Sequence, residues 1–502
     1  AIESLTPAQA RKLVKDFVPG APIEVNVGQV TITRPSCLHL NALKSLDAET
    51  AAVLAEYRRG IMLGGLESLD ADAAKALTSR GIRPLYLFGL TTLDADTAAV
   101  LAASQGWEGT LPRLATLEPD VAAALAAFKG ADLDLSGLTA ISPETAAALA
   151  RSQAANLELS GVKTISTAAA RALAGFGRAG SKLHLGGLTE LDAETARALV
   201  ASKAWTRSLA SLETLDAATA AVLAELPGDG ELLLGQVATL DAETARALAK
   251  FKGPTLDLPG VTTLDAAATR ALAGYQGRLT LGFTTLDDAT ARALAELRCE
   301  FLDLGGVTAL DADVARSLAA GACQFLNLYG ITELDADTAR ALAGFKGLGL
   351  NLGGVTAIDV DTARALAGFG GEKSLLMLPS LTEFDAEVAT ALAGCKGKVL
   401  LPVEALGERI GKDVPLTPAT VRLLSAHAGN GLEIALPGIL TLHTPEAVEV
   451  ARTLAATKAT LSIPNLARIS PQALAILVES PIVIPPREEL EVTGSQDDVV
   501  IP

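Results

Sequence analysis

A short alternation of apolar and polar residues opens a pattern that fills most of the chain. Residues 325 to 347 have the sequence FLNLYGITELDADTARALAGFKG. Leu326 and Leu328 alternate with Asn327, and a period of two residues is typical of a short, half-buried strand. Gly330 follows where the chain must turn away from that strand. The stretch therefore predicts a strand at its beginning, with Asn327 on the exposed face.

The second half of the same stretch has the spacing of a helix. Asp335 stands at its start, and aspartate is among the best residues for capping a helix N-terminus. Ala339, Leu342 and Phe345 continue at helical spacing and predict a buried stripe. Gly347 follows the last of them and predicts the return of the chain. One unit is therefore expected to be a strand, a turn and a helix that begins at Asp335.

The same unit recurs along nearly the whole chain at a fixed interval. Leu310, Leu334 and Ile358 hold equivalent positions and are 24 residues apart. Self-similarity at such a period indicates a solenoid, in which each coil buries its apolar side chains against the next. We therefore predict an α/β solenoid of about nineteen strand-turn-helix coils, each of roughly 24 residues. The other equivalent positions are Leu5, Leu46, Leu69, Leu93, Leu117, Ile141, Ile165, Leu191, Leu215, Leu240, Leu264, Leu286, Phe384, Leu416, His443 and Ile469.

Asp335, Asp337 and Arg340 form a charged cluster that resembles an acid/base or metal-binding group. The cluster recurs in many coils, whereas a catalytic group is needed only once. Residues three apart share one face of a helix, where Asp337 and Arg340 can pair for a few tenths of a kcal/mol. We therefore interpret Asp335 as a helix cap and the pair as solvent-exposed charges, with cation binding along the acidic column as the alternative. Equivalent pairs are Glu194 with Arg197, Glu243 with Arg246, Asp313 with Arg316, and Asp361 with Arg364.

The regularity of the repeat divides the chain into three parts. Residues 1 to 37 depart from it and predict one helix and a hairpin around Gly28 and Gln29, which together are expected to cap the first coil. Residues 38 to 398 are expected to form the regular solenoid. Residues 399 to 502 begin with an insertion, continue as divergent repeats, and end in a cap and an acidic tail.

Composition and charge narrow the classes of partner. The net charge is −17, which argues against nucleic acid or an anionic membrane surface as a partner. No run approaches the roughly 20 apolar residues of a membrane span. The chain begins with Ala1 rather than methionine. This start leads us to expect a processed chain that is exported or attached to the cell envelope, with the cytoplasm as the alternative.

The sequence contains none of the common cofactor or catalytic motifs. It has no Walker loop, dinucleotide-binding glycine motif, HExxH motif or nucleophile elbow. The four histidines are scattered, and His39 and His184 share a strand position but lie six coils apart. We therefore expect no cofactor, no metal centre and no enzymatic activity.

The unit LxLxG(L/V/I)TxL(D/S), followed by a helix, resembles the bacterial leucine-rich repeats. It is most similar to the variant class known from treponemal and bacteroidal surface proteins, and it also resembles Ala-rich repeat proteins of planctomycetes. The resemblance implies a right-handed superhelix and protein binding or adhesion rather than catalysis. The usual asparagine between coils is absent, and threonines are expected to form a weaker ladder in its place. The residues that carry the resemblance include Leu258–Pro259, Leu378–Pro379, Ile463–Pro464, Val261–Thr262 and Val307–Thr308.

One group of strand residues is the candidate binding surface. Repeat proteins commonly bind along their strand face, and aromatic residues, which favour interfaces, are rare in this chain. Adjacent coils are expected to stack the two phenylalanines of the group. The alternative is a buried aromatic ladder that needs no partner. The group consists of Phe301, Asp303, Phe325, Asn327, Tyr329 and Asn351.

Cys299 and Cys323 are 24 residues apart and therefore occupy equivalent places in neighbouring coils. A separation of about 5 Å between strands falls within the range that disulfides accept. The alternatives are a disulfide and two packed thiols. Cys395 takes the place of an inward phenylalanine, and Cys37 has no evident mate.

Three functions are consistent with this pattern. The first is a non-enzymatic repeat scaffold that binds a protein partner at a bacterial cell envelope. The second is a structural subunit that self-associates into a surface or filamentous assembly. The third is an enzyme, for which the repeat leaves no catalytic constellation.

Overall fold

The computed structural model of the protein describes residues 3–16, 23–27, 30–34, 37–57, 59–402, 410, 414, 416–423, 433–436, 438–444, 446–457 and 460–492. The chain divides into two compact units. The first comprises Ala1–Leu240 with Lys250–Gly260, and the second comprises Asp241–Ala249 with Val261–Pro502.

The first unit consists of alternating short strands and helices. The antiparallel pair β1 and β2 precedes parallel strands, which pair in the orders β3-β4-β5, β6-β7-β8 and β9-β10-β11. Its helices are α1 Pro7–Asp16, α2 Ala48–Leu54, α3 Ala71–Thr78, α4 Ala95–Ala103, α5 Pro119–Leu125, α6 Pro143–Leu149, α7 Thr167–Leu173, α8 Ala193–Val200 and α9 Ala217–Leu223. Its strands are β1 Ile23–Val27, β2 Val30–Arg34, β3 Leu38–His39, β4 Ile61–Met62, β5 Leu85–Tyr86, β6 Asp132–Asp134, β7 Asn156–Glu158, β8 Lys182–His184, β9 Ser208–Leu209, β10 Leu232–Leu234 and β11 Thr255–Leu258.

The second unit repeats the same alternation. Strands β12 to β17 pair in parallel and in chain order. Its helices are α10 Ala242–Leu248, α11 Ala266–Leu272, α12 Asp288–Ala295, α13 Ala312–Ala319, α14 Ala336–Leu342, α15 Val360–Leu366, α16 Ala386–Leu392, α17 Pro418–Arg422, α18 Ala447–Ala456 and α19 Pro471–Val478. Its strands are β12 Arg278–Leu281, β13 Phe301–Asp303, β14 Phe325–Asn327, β15 Gly349–Asn351, β16 Leu375–Met377, β17 Lys398–Leu400, β18 Glu433–Ala435, β19 Thr441–Leu442, β20 Thr460–Ser462, β21 Arg468–Ile469 and β22 Glu491–Val492.

Most of the described repeat helices begin at a residue whose side chain accepts a hydrogen bond from the first turn. Oδ1 of Asp335 accepts a hydrogen bond from the backbone N–H of Thr338 at 2.7 Å, and Ser142 caps its helix in the same way. Glu118 also precedes a proline, but its side chain makes no cap hydrogen bond. Glutamate is not among the residues that cap helices well, and this helix begins without a side-chain cap.

The core of each coil is the narrow layer predicted from the pattern. Ala339 and Leu342 are fully buried and Phe345 is 2% exposed. The ring of Phe345 lies against Gly347, where a Cβ would come within 2.4 Å of the ring. The glycine of this recurrent Phe-Lys-Gly sequence is therefore needed for close packing and not for a left-handed turn.

Buried threonines link successive coils. The buried hydroxyl of Thr145 donates to the carbonyl oxygen of Leu117 in the preceding coil at 3.0 Å. The hydroxyl of Thr97 lies 3.3 Å from the equivalent carbonyl oxygen of Leu69 and 2.9 Å from Oδ2 of Asp94. These residues stand three positions after the capping residue, and the sequence pattern did not single them out. Equivalent bonds of 3.3 to 3.5 Å join Thr50 to Leu5, Thr219 to Leu191, and Thr362 to Leu334.

The threonines that follow the strands contribute differently. The backbone N–H of Thr308 donates to the carbonyl oxygen of Thr284 at 3.2 Å. At Thr308 the predicted threonine ladder is therefore supplied by the backbone. The hydroxyls of the equivalent Thr91 and Thr189 also donate to carbonyl oxygens of the preceding coil, at 3.2 and 3.3 Å.

The repeated strand and helix units confirm the α/β solenoid. Its right-handed sense, the number of coils and the boundaries after residues 37 and 398 stay predictions. Strands β1 and β2 are antiparallel, as a hairpin requires, while Gly28 and Gln29 lie outside the described residues. Most of the insertion after residue 402 and the tail from residue 493 also lie outside them.

Candidate functional site

The six residues of the predicted binding surface lie together in the second unit. Strands β13, β14 and β15 pair in register, which aligns Phe301 with Phe325 at the first strand position. The same register aligns Asp303, Asn327 and Asn351 at the third position. The intervening leucines point into the core, so both columns lie on the opposite face of the strands. We call the six residues Phe301, Asp303, Phe325, Asn327, Tyr329 and Asn351 the strand-face patch.

The aromatic part of the strand-face patch is a stacked pair. The rings of Phe301 and Phe325 have centroids 6.0 Å apart and planes inclined by 17°. The guanidinium carbon of Arg278 lies 4.3 Å from the centroid of the Phe301 ring, at a distance typical of cation–π contacts. Both rings are half-buried. The stack ends at Gly349, where a Cβ would come within 2.2 Å of the Phe325 ring.

The polar part of the strand-face patch is a ladder of hydrogen bonds across four coils. Oδ2 of Asp303 accepts from Nη2 of Arg278 at 2.6 Å. Oδ1 of Asp303 accepts from Nδ2 of Asn327 at 2.7 Å. Oδ1 of Asn327 then accepts from Nδ2 of Asn351, also at 2.7 Å. Because an ionised carboxylate can only accept, Asp303 fixes the orientation of both amides.

The ladder ends in an acceptor without a donor. Oδ1 of Asn351 is buried and has no hydrogen-bond partner in the protein. A Cβ on Gly353 would lie 2.7 Å from the ring of Tyr329 and 3.0 Å from this oxygen. The Tyr329 ring therefore packs over Gly353, close to the oxygen. Tyr329 itself is 54% exposed. An unsatisfied buried acceptor costs about 1–3 kcal/mol.

Arg278 belongs to this site and was missed by the sequence analysis. The feature that could have identified it is the strand register. Arg278 lies in the coil before Phe301 and is aligned with it. A cation one coil before a phenylalanine and diagonally placed from Asp303 can contact both. Only the pairing of the strands reveals that combination.

The two cysteines lie beside the strand-face patch. Cys299 and Cys323 are buried free thiols, and their Sγ atoms are 2.8 Å apart. The hydrogen bond to Cys323, together with burial, raises the pKa of Cys299. The same contact lowers the pKa of Cys323, and either sulfur can be the donor. Burial also raises the pKa of Cys395, to about 11.

The charged cluster that recurs in the repeats has a structural role. The backbone N–H of Thr338 holds the pKa of Asp335 below its usual range, as expected for a cap that is ionised. Nη1 of Arg340 and Oδ1 of Asp337 are 2.5 Å apart, with side chains that are 65% and 80% exposed. The interpretation of Asp335 as a cap and of the pair as exposed charges is therefore confirmed.

Metal-binding clusters and membrane-spanning helices are both absent from the described residues. Within the described ranges, no three or more His, Cys, Asp or Glu side chains are grouped so that they could hold a metal ion. None of the helices in that part of the chain is both long and apolar enough to cross a bilayer.

No family model and no curated protein sequence matches this chain. Solved structures with similar folds include TLR13 in complex with ssRNA13, at 17% identity and a TM-score of 0.43. That similarity covers 89% of this chain and 64% of the TLR13 chain. The chain therefore spans just under two thirds of the TLR13 chain.

Two bacterial proteins are also similar in fold. An internalin, inlF from Listeria monocytogenes, is 13% identical with a TM-score of 0.32. The similarity covers 72% of this chain and 92% of the internalin chain. The leucine-rich repeat-containing protein LegL7 from Legionella pneumophila is 13% identical with a TM-score of 0.30. That similarity covers 55% of this chain and 89% of the LegL7 chain. Identity this low concerns the fold alone. On its own repeated strands and helices, the protein is a leucine-rich-repeat-like α/β solenoid.

Proposed function

We propose that the protein is a non-enzymatic scaffold that binds a protein partner through the strand-face patch, at a bacterial cell envelope. One observation carries the proposal. The hydrogen-bond ladder ends in the unpartnered Oδ1 of Asn351, beside the exposed ring of Tyr329. A partner that packs an apolar group against this ring, and shifts the ring so that a hydrogen-bond donor reaches the oxygen, would fit both features.

The chemistry of the strand-face patch indicates which side chains and which surface charge the partner should have. Aromatic side chains and arginine dominate the binding energy of many interfaces, and Tyr329 and Arg278 stand at opposite ends of the ladder. The net charge of −17 favours a partner with a basic surface. A lysine, an arginine or a backbone N–H could supply the donor that Asn351 lacks.

The test compares patch variants with a matched variant on the outer face. Wild type, Tyr329→Ala, Asn351→Ala and Arg340→Ala are immobilised, and an extract of the cells that produce the protein is passed over each. We expect one protein to be retained by wild type and Arg340→Ala and lost from both patch variants. Equal retention by all four would contradict the proposal. Circular dichroism of each variant checks that it is folded.

Photo-crosslinking locates the contact independently. A benzophenone amino acid replaces Tyr329 in one sample and Arg340 in a second. We expect the retained protein to crosslink from position 329 and not from position 340. Crosslinks from position 340 alone would move the binding surface to the outer helical face.

A second candidate function is a structural subunit that associates with further copies of itself. The observation in its favour is a set of exposed apolar side chains in the last described coils. Leu440 is 56% exposed, Val478 68%, Val483 56% and Val492 40%. Exposed apolar side chains mark an association surface where they lie together in one patch. Light scattering measures the mass of the wild type and of Val478→Asp in solution. If both are monomers, the protein does not associate with itself through this surface.

A further inference from the structure

We propose that Cys299 and Cys323 are an oxidation-sensitive pair that forms a disulfide between two neighbouring coils. Their Sγ atoms are 2.8 Å apart, and both thiols are free. Cys299 is 2% exposed and Cys323 is 4% exposed. The disulfide does not depend on the partner proposed above, because it requires only the two thiols and an oxidant.

The backbone holds the two cysteines at a suitable separation. Each lies two residues before a strand, and those strands pair in register at Phe301 and Phe325. The backbone N–H of Phe325 donates to the carbonyl oxygen of Glu300 at 2.9 Å, so the pairing begins directly after the cysteines. Paired strands are about 4.8 Å apart, and disulfides accept Cα separations of about 4.4–6.8 Å. The bond can therefore form without a change of register.

Either sulfur can donate the hydrogen bond that joins the two thiols. The thiolate is the reactive form of cysteine, so either thiol can meet the oxidant first, and the disulfide is the same in both orders. With Cys323 first, Cys299 is the thiol that resolves the product.

Hydrogen peroxide is a small oxidant that converts thiols to a disulfide through a sulfenic acid. The Cys323 thiolate attacks one peroxide oxygen, the O–O bond breaks, and a sulfenic acid and hydroxide form. Cys299 then loses its proton, and its sulfur attacks Sγ of Cys323 while the S–O bond breaks and water leaves. In the sum, two thiols lose two electrons and two protons, and one peroxide becomes two waters.

The disulfide would join the two coils that carry the stacked rings of Phe301 and Phe325. A covalent link between coils restricts the unfolded chain and raises the melting temperature. Any effect of oxidation on partner binding rests on the proposed function, whereas formation of the disulfide does not. The two proposals can therefore fail separately.

Peptide mapping of the full-length wild-type chain tests the proposal. The folded protein is treated with hydrogen peroxide, unfolded in the presence of N-ethylmaleimide, and digested with trypsin. Cleavage after Arg298, Arg316 and Arg340 places the two cysteines in separate peptides, residues 299 to 316 and 317 to 340. We expect these peptides to be joined, at a mass about 2 Da below their sum, and to separate after reduction.

Cys37 and Cys395 are internal controls, because the sequence places no other cysteine in an adjacent coil. We expect both to carry N-ethylmaleimide after the same treatment. Recovery of peptides 299–316 and 317–340 as separate adducts, or with sulfinic acid in place of the link, overturns the proposal. So does a link from either cysteine to Cys37 or Cys395.

Thermal unfolding supplies a second readout. We expect the melting temperature of the wild type to rise after oxidation and to return after reduction. Cys323→Ser should show no such change. An unchanged melting temperature in the wild type, together with unlinked peptides, would refute the pair. If Cys323→Ser does not fold, the peptide map of the wild type still decides.

Discussion

Two pairs of stacked phenylalanine rings in the second unit have similar geometry and different surroundings. The rings of Phe345 and Phe369 lie 6.4 Å apart at 5°, and those of Phe301 and Phe325 lie 6.0 Å apart at 17°. The first pair is 2% exposed at both residues, whereas the second is half-buried. A fixed period stacks any aromatic residue that recurs at one position. Stacking is therefore a consequence of the repeat, and only the surroundings distinguish a core pair from a binding surface.

The largest difference between the pairs is expected in stability. Phe345→Ala leaves a cavity in the core and should lower the free energy of unfolding by about 3–5 kcal/mol. Phe325→Ala removes a ring that is already partly in water, and should cost only about 1 kcal/mol. Urea unfolding of both variants measures the difference. Equal losses would show that the Phe301–Phe325 pair also belongs to the core.

The second expected effect concerns the ladder that accompanies the surface pair. The Asp303 side chain is only 12% exposed and accepts from Arg278 and Asn327. Asp303→Ala leaves a guanidinium and an amide without their acceptor and should cost about 1–3 kcal/mol. Urea unfolding measures this loss, and Asp337→Ala on the outer face is the matched control. A loss no larger than that of the control would show that the ladder does not stabilise the patch.

The sequence alone was sufficient to predict the elements that every coil repeats. The cap at Asp335, the buried stripe that ends at Phe345 and the exposed pair of Asp337 and Arg340 all follow from local spacing. Arg278 was missed because its contacts with the patch depend on which strand position lies beside which. The buried threonines were missed because a hydroxyl on a helix normally suggests a polar surface, and here the partner is a carbonyl in the preceding coil.

The third expected effect concerns the helix that leads to the core pair. Asp335→Ala removes the cap of α14 and should lower stability by about 1 kcal/mol at neutral pH. The pKa of Asp335 is lowered in the folded chain, so its contribution is present above the unfolded pKa of about 3.9. That contribution is lost as the pH falls through the lower folded pKa.

Asp335→Asn is the control for this pH dependence. An asparagine oxygen can accept the same hydrogen bond, so the variant should keep most of the cap at pH 7 and lose its share of the titration. Unfolding measured at pH 7 and near pH 3 separates the two variants. A similar loss for Asp335→Ala at both pH values would show that the ionised cap contributes nothing of its own.

The smallest expected effect compares two arginines that both pair with aspartate. Arg340 pairs with Asp337 on the exposed outer face, and Arg340→Ala should change stability by no more than about 0.5 kcal/mol. Arg278 pairs with the largely buried Asp303 and also lies over the Phe301 ring, so Arg278→Ala should cost more. Urea unfolding with and without 1 M sodium chloride measures both. Because salt screens exposed charges more strongly than partly buried ones, the effect of Arg340→Ala should vanish in salt and that of Arg278→Ala should persist. If both effects vanished, the ladder at Asp303 would be an ordinary surface ion pair, and the strand face would lose the feature that sets it apart from the outer helices.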